Sequence, residues 1–118
     1  VCSSILEQDL IVHLRSLWNW WRSSSAGETL RSFFIEIQLD SNAIAEFRAE
    51  FLPRRERTLR KIFARAISTG EIVDGPAVEV AVSMLTGMSW LHLITANLDN
   101  LDDIDNSVAL LVKGLRVS

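Results

Sequence analysis

The side chains of this sequence best suited to chemistry are aromatic and soft, not acidic or nucleophilic. Trp18, Trp20, Trp21 and Trp90, the five phenylalanines Phe33, Phe34, Phe47, Phe51 and Phe63, and both methionines, Met84 and Met88, form one set. Pockets between helices are lined this way, because rings supply apolar area and thioethers adapt to irregular shapes. The same residues also serve as plain core filling. Trp18, Trp20 and Trp21 cannot all face one core, however, since successive helical residues are turned by about 100°. At least one of these rings must meet solvent, a ligand or a partner.

Two histidines titrate near neutral pH and could orient a ligand through hydrogen bonds. His13 lies off the Leu10-Leu14-Leu17 face, which places it at the surface or at a pocket rim. His92 reads as an interface residue of a later helix. They lack the spacing and the supporting His, Cys or carboxylate of a metal pair, so no metal is expected. The run Asp99-Asn100-Leu101-Asp102-Asp103-Ile104-Asp105 has the acidity of a calcium loop but not its sixth-position glycine or closing glutamate, and reads as a loop and helix cap. Ser23-Ser24-Ser25 sits in a polar turn, not on a strand-to-helix elbow. The glycines are scattered and cradle no phosphate, and Cys2 is too near the terminus to build a site around. No catalytic residue and no cofactor is expected.

Arg54, Arg57, Lys61 and Arg65 recur at helical spacing, and seven of the twelve basic residues fall between Arg48 and Arg65. Glu46, Glu50 and Glu56 interleave with them, which favours a solvated helix face over a nucleic-acid surface. Net charge points the same way: at −3 the chain has little with which to neutralise phosphates. A single cysteine excludes a disulfide framework and fits a reducing cytosol. With 118 residues, 48% of them hydrophobic, the chain makes one globular domain. No basic leader precedes an apolar segment, and the apolar stretch from Ala77 to Ile94 is interrupted by Glu79, Ser83, Thr86, Gly87, Ser89 and His92, so no membrane span is expected. Opening on Val1 suggests a fragment or processed product.

These residues must be held by helices. Ser4-x-x-Glu7 resembles a capping box and starts a first helix of about 4–22, with Leu6, Leu10, Leu14, Leu17, Trp18 and Trp21 at helical spacing. Ser23 to Gly27 breaks it, and Ser25-x-x-Glu28 is a second capping box opening a helix of about 28–39. Asp40-Ser41-Asn42 caps a third stretch of about 43–69, in which Pro53 predicts a kink or a break and Gly70 the left-handed end. Asp74-Gly75-Pro76 starts a fourth helix of about 76–97, and a fifth spans about 103–115. The fourth is apolar on almost every side, so it needs cover all round. Its own chain can cover one side, and a second subunit is the natural cover for the other.

The stretch Phe51-Leu52-Pro53-Arg54-Arg55-Glu56-Arg57 through Ala66-Ile67-Ser68-Thr69-Gly70-Glu71-Ile72 resembles tetracycline-repressor-type (TetR-like) C-terminal domains. The shared features are a proline followed by two basic residues, an amphipathic helix, and an Ala-x-x-x-Gly-Glu-[Leu/Ile] ending. Asp74, Pro76, Leu85, Gly87, Trp90, the acidic loop and Gly114-Leu115 fit in order. The resemblance implies an all-α, five-helix bundle whose last two helices form a four-helix interface in a homodimer. It also implies a cytoplasmic bacterial regulator, controlling DNA through an N-terminal helix-turn-helix outside this chain, with a small apolar or aromatic effector. On this reading the effector meets Leu14, Leu17, Trp18, Trp21, Phe33, Phe34, Ile37, Phe47, Phe63, Met84 and Met88. The partner subunit meets Leu85, Ser89, His92, Leu93, Val108, Leu111, Val112 and Leu115. Two rivals are a dimerisation module without an effector and a small helical-bundle enzyme, the latter lacking paired carboxylates or a nucleophile with its base.

Overall fold

The computed structural model describes residues 4–116, and these are all-α, with no strand among them. Cys2 lies outside the described residues. Helix α1 (Ile5–Ser23) starts as its sequence predicts, with Ser4 Oγ accepting from Glu7 N at 3.0 Å. Its buried stripe, Leu6, Leu10, Leu14, Trp18 and Trp21, recurs every three or four residues and forms the axis of the core. Around it pack α2 (Ala26–Ile37), α5 (Arg57–Ser68), α6 (Pro76–Ile94) and α7 (Asp102–Leu115).

The turn into α2 is built differently from the expected capping box. Ser25 makes no side-chain cap; Ser24 Oγ instead accepts from Ala26 N and donates to Trp20 O. Gly27 then lies so close to α1 that a Cβ there would approach the Trp21 carbonyl oxygen to 2.4 Å.

The third stretch is also subdivided. Asp40 caps α3 (Ser41–Glu46) through Oδ1, a π-helical turn follows (Phe47–Phe51), and α4 (Leu52–Arg55) continues in helical backbone to a corner at Glu56. One rod from Ser41 to Arg55 therefore precedes α5, and among the described residues six helices replace the expected five. Pro53 is responsible for the shape, though not by breaking the helix where it stands. It has no N–H to give and its ring crowds the carbonyl four residues back. A preceding turn widened to π, with Leu52 N bonding Phe47 O, makes room for it.

At the far end of α5, Gly70 adopts φ 81°. Its N–H bonds Ile67 O and Glu71 N bonds Ala66 O, the paired bonds of a Schellman ending. That ending carries Glu71 back to α1, where its carboxylate accepts from Leu6 N at 3.1 Å, and buries Ile72. The Gly-Glu-Ile motif thus fastens α5 to the free N–H groups at the start of α1.

Helix α6 departs from expectation in one respect. At 19 residues it is long and apolar enough, by length and composition, to cross a membrane. Its inner side, from Val78 through Leu85 to Leu93, is packed in the core, and its polar residues there are bonded within the chain.

Candidate functional site

Helices α1, α2, α5 and α6, together with the end of α4, enclose a mostly apolar cavity with about 50 Å³ of free space. Leu14, Leu17, Trp20 and Trp21 come from α1, Leu30 from α2, and Leu59 from α5. Helix α6 supplies Leu85, Ser89 and Trp90. Besides Ser89, polar groups are few: His13, Arg55, Glu56 and Thr86. Glu56, at the corner between α4 and α5, accepts from Thr86 Oγ1 at 2.8 Å and from Arg60 at 3.3 Å, and Arg60 also bonds Glu79 at 2.6 Å. These bonds tie the corner to α6. Burial of His13 lowers its pKa from the ordinary 6.5, because desolvation disfavours the charged ring.

Three of the residues expected at a pocket, Leu14, Leu17 and Trp21, line this cavity. The others sit elsewhere. Trp18 is wholly buried, with Nε1 donating to Ser89 Oγ at 2.9 Å and its ring 4.6 Å from that of His92. Phe63 is core, and Ile37 is buried outside the lining. Phe33, Phe34 and Phe47 join Phe51 and Trp90 in an aromatic cluster with ring centroids 4.9–6.1 Å apart. This cluster holds the π turn against α2 and meets the cavity through Trp90, 5.9 Å from Trp21. Met88 packs against the core from its edge. Met84 is corrected outright: it is 58% exposed, on the side of α6 away from the cavity.

The interface residues need a larger correction. Leu85, Ser89, His92, Leu93, Val108 and Val112 are all buried inside the chain itself, and Leu111 and Leu115 are partly so. Ser89 and His92 are the polar members of that set. Both are satisfied internally, Ser89 by Trp18 and His92 by Met88 O and Asp103 Oδ2, each at 2.8 Å. The exposed side of α6 is instead the apolar one: Val80, Met84, Gly87, Leu91 and Ile94, in steps of four, three, four and three. Leu110 of α7, 74% exposed, is the comparable residue on the neighbouring helix.

Sequence reasoning missed Leu30, Arg55, Glu56, Leu59 and Thr86 as cavity residues, held Trp90 only within the general aromatic set, and gave Leu85 and Ser89 to the interface. A signal existed for α6. Thr86, Ser89 and Trp90 follow Leu85 within five positions, and polar groups in an apolar helix mark the side where a partner already waits. His13 and Trp20 were legible as rim residues from their offset to the α1 stripe. Among the described residues, no group of three His, Cys, Asp or Glu side chains is placed to hold a metal ion.

A family model described as the tetracyclin repressor-like C-terminal domain matches residues 4–108. No curated protein and no solved structure matches the chain. The matched span takes in α1, the Gly-Glu-Ile fastening, the whole cavity and the exposed row of α6, and domains of this kind are in general regulatory, ligand-binding and dimerising, not catalytic. This chain belongs to the tetracycline repressor-like C-terminal domain family.

Proposed function

We propose that this chain is the ligand-sensing, homodimerising domain of a one-component transcription regulator. DNA is read by a helix-turn-helix segment outside this chain, and a small apolar or aromatic effector is read here. The observation that carries the reading is that α6 is apolar on both sides. One side walls the cavity with Leu85 and Trp90, and the other exposes Val80, Met84 and Leu91 in a heptad-like row. A ligand entering the cavity therefore presses on the helix that meets the second subunit. Differential affinity for two subunit spacings would then shift their populations.

Sedimentation equilibrium tests the dimer. Wild type is expected to be dimeric at micromolar concentration, and Met84→Arg/Leu91→Arg monomeric with its helical circular dichroism intact, since both side chains are exposed in the single chain. A monomeric wild type would remove both the dimer and the sensing mechanism built on it. One observation favours a second reading, a dimerisation module with no effector: the free space in the cavity is small, about 50 Å³. On that reading no compound alters the tryptophan fluorescence of the dimer, whereas an effector site predicts a ligand-dependent shift.

A further inference from the structure

Among the described residues, the charge at the cavity that no protein group balances is positive, on the exposed side chain of Arg55. Of the cavity's other ionisable residues, Glu56 has both carboxylate oxygens engaged, one by Arg60 and one by Thr86. His13, kept neutral by its burial, offers one donor and one acceptor. Arg55 is different. Its guanidinium rests 4.8 Å above the Phe51 ring, and among the described residues no carboxylate forms an ion pair with it. The aromatic face holds the cation in place without neutralising it. Trp21, which lines the cavity, carries a second such donor: among the described residues its buried Nε1–H has no acceptor, and it comes within reach of a ligand when the lining moves. A buried N–H without a partner costs about 1–3 kcal/mol, so it favours any ligand that brings an acceptor. The remaining wall is leucine and tryptophan, which suits a flat ring.

We propose that the cavity takes a small aromatic carboxylate, its ring against Trp21, Trp90 and Leu59 and its carboxylate at Arg55. The proposal rests on the ligand-sensing reading and names the ligand class for it. Arginine is the residue suited to this task, since its planar fork pairs with both oxygens of a carboxylate. A neutral ring would satisfy the apolar wall and leave Arg55 idle, and a cationic one would meet repulsion there. Free space of about 50 Å³ is well under the ~150 Å³ of an apolar cavity that holds benzene, so admission requires a side chain to move. Trp20, 47% exposed at the cavity edge, is the lining ring least held by its surroundings.

The four indole N–H signals of the intact chain, followed by heteronuclear NMR, report on the site directly. Benzoate, benzamide and benzylamine serve as probes matched in ring and differing in charge. Benzoate is expected to shift the Trp21 indole signal and to bind about tenfold more tightly than benzamide, the margin of one charge-assisted hydrogen bond at a partly exposed site. Arg55→Gln should erase that margin, and Arg55→Lys should keep part of it. If benzamide or benzylamine binds as well as benzoate, or if Arg55→Gln keeps the preference, the carboxylate assignment is overturned while ligand sensing stands. If none of the three moves any indole signal, the aromatic-carboxylate assignment is overturned, and ligand sensing is decided separately by the tryptophan fluorescence of the dimer across a diverse set of compounds.

Discussion

Ser89 of α6 and Trp18 of α1 form a buried hydrogen-bonded pair in the core, and each depends on the other. Trp18 is wholly buried, so removing its acceptor leaves an N–H with no water to turn to. Ser89→Ala is expected to cost about 1–3 kcal/mol in chemical denaturation. The association constant should be unaffected, because Ser89 is buried within its own chain. A loss of dimer affinity without loss of stability would return Ser89 to the interface. His13 makes a separate prediction. Its pKa is lowered in the folded state by desolvation, so the unfolded chain takes up its proton first as pH falls. The stability it allows is fully present above the unfolded value of about 6.5 and declines as pH drops below that value. His13→Gln should flatten urea-denaturation stability between pH 7 and pH 5, and an unchanged slope would show that other groups set it.

At the scale of elements, the helices themselves were legible in the sequence and their joints were only partly so. The α1 stripe, the Asp40 cap, Pro76 in the first turn of α6 and the left-handed Gly70 all follow from residue type at a given spacing. The π turn did not, because Pro53 signals strain without saying which neighbouring turn absorbs it. The α1–α2 joint was missed for a related reason: Ser24 and Ser25 are chemically equal as caps, and the choice is made by how close α2 must come to α1. Gly27 sets that closeness. Gly27→Ala should force the helices apart against the Trp21 backbone and destabilise the fold by about 1–3 kcal/mol, read as a fall in denaturation midpoint. A neutral result would mean that the joint opens freely. The left-handed Ala96 (φ 56°) ends α6 with Asn97 N bonded to His92 O, in a position where glycine is the usual occupant, and no residue-type rule announces it.

At the scale of the molecule, the sequence was read correctly in giving α6 two apolar sides and incorrectly in assigning which residues faced which way. Hydrophobic periodicity cannot orient a helix whose every face is apolar. Ser89 and His92 point inward here because Trp18 and Asp103 wait for them, an outcome fixed by tertiary pairing. One glycine separates the two demands on this helix. A Cβ at Gly87 meets nothing within 4 Å, so Gly87→Ala should strengthen the isolated helix, by about 0.5–1 kcal/mol. Against a partner lying across the exposed row, the added methyl should weaken association. Higher thermal stability at low protein concentration combined with a weaker dimer is the expected pair of results, and an unweakened dimer would move the interface off Gly87.

The central place of α1 has a consequence for how the chain is made. Within this stretch an earlier helix packs against later ones: Leu6 is bonded 65 residues ahead by Glu71, and Arg15 pairs 90 residues ahead with Asp105 of α7. At about 5–20 residues per second, the leucine and tryptophan stripe of α1 waits roughly 5–20 s for its last cover, α7. During that interval only α2, and then α5 and α6, are there to shield it, and a partly covered apolar stripe is the form that chaperones bind.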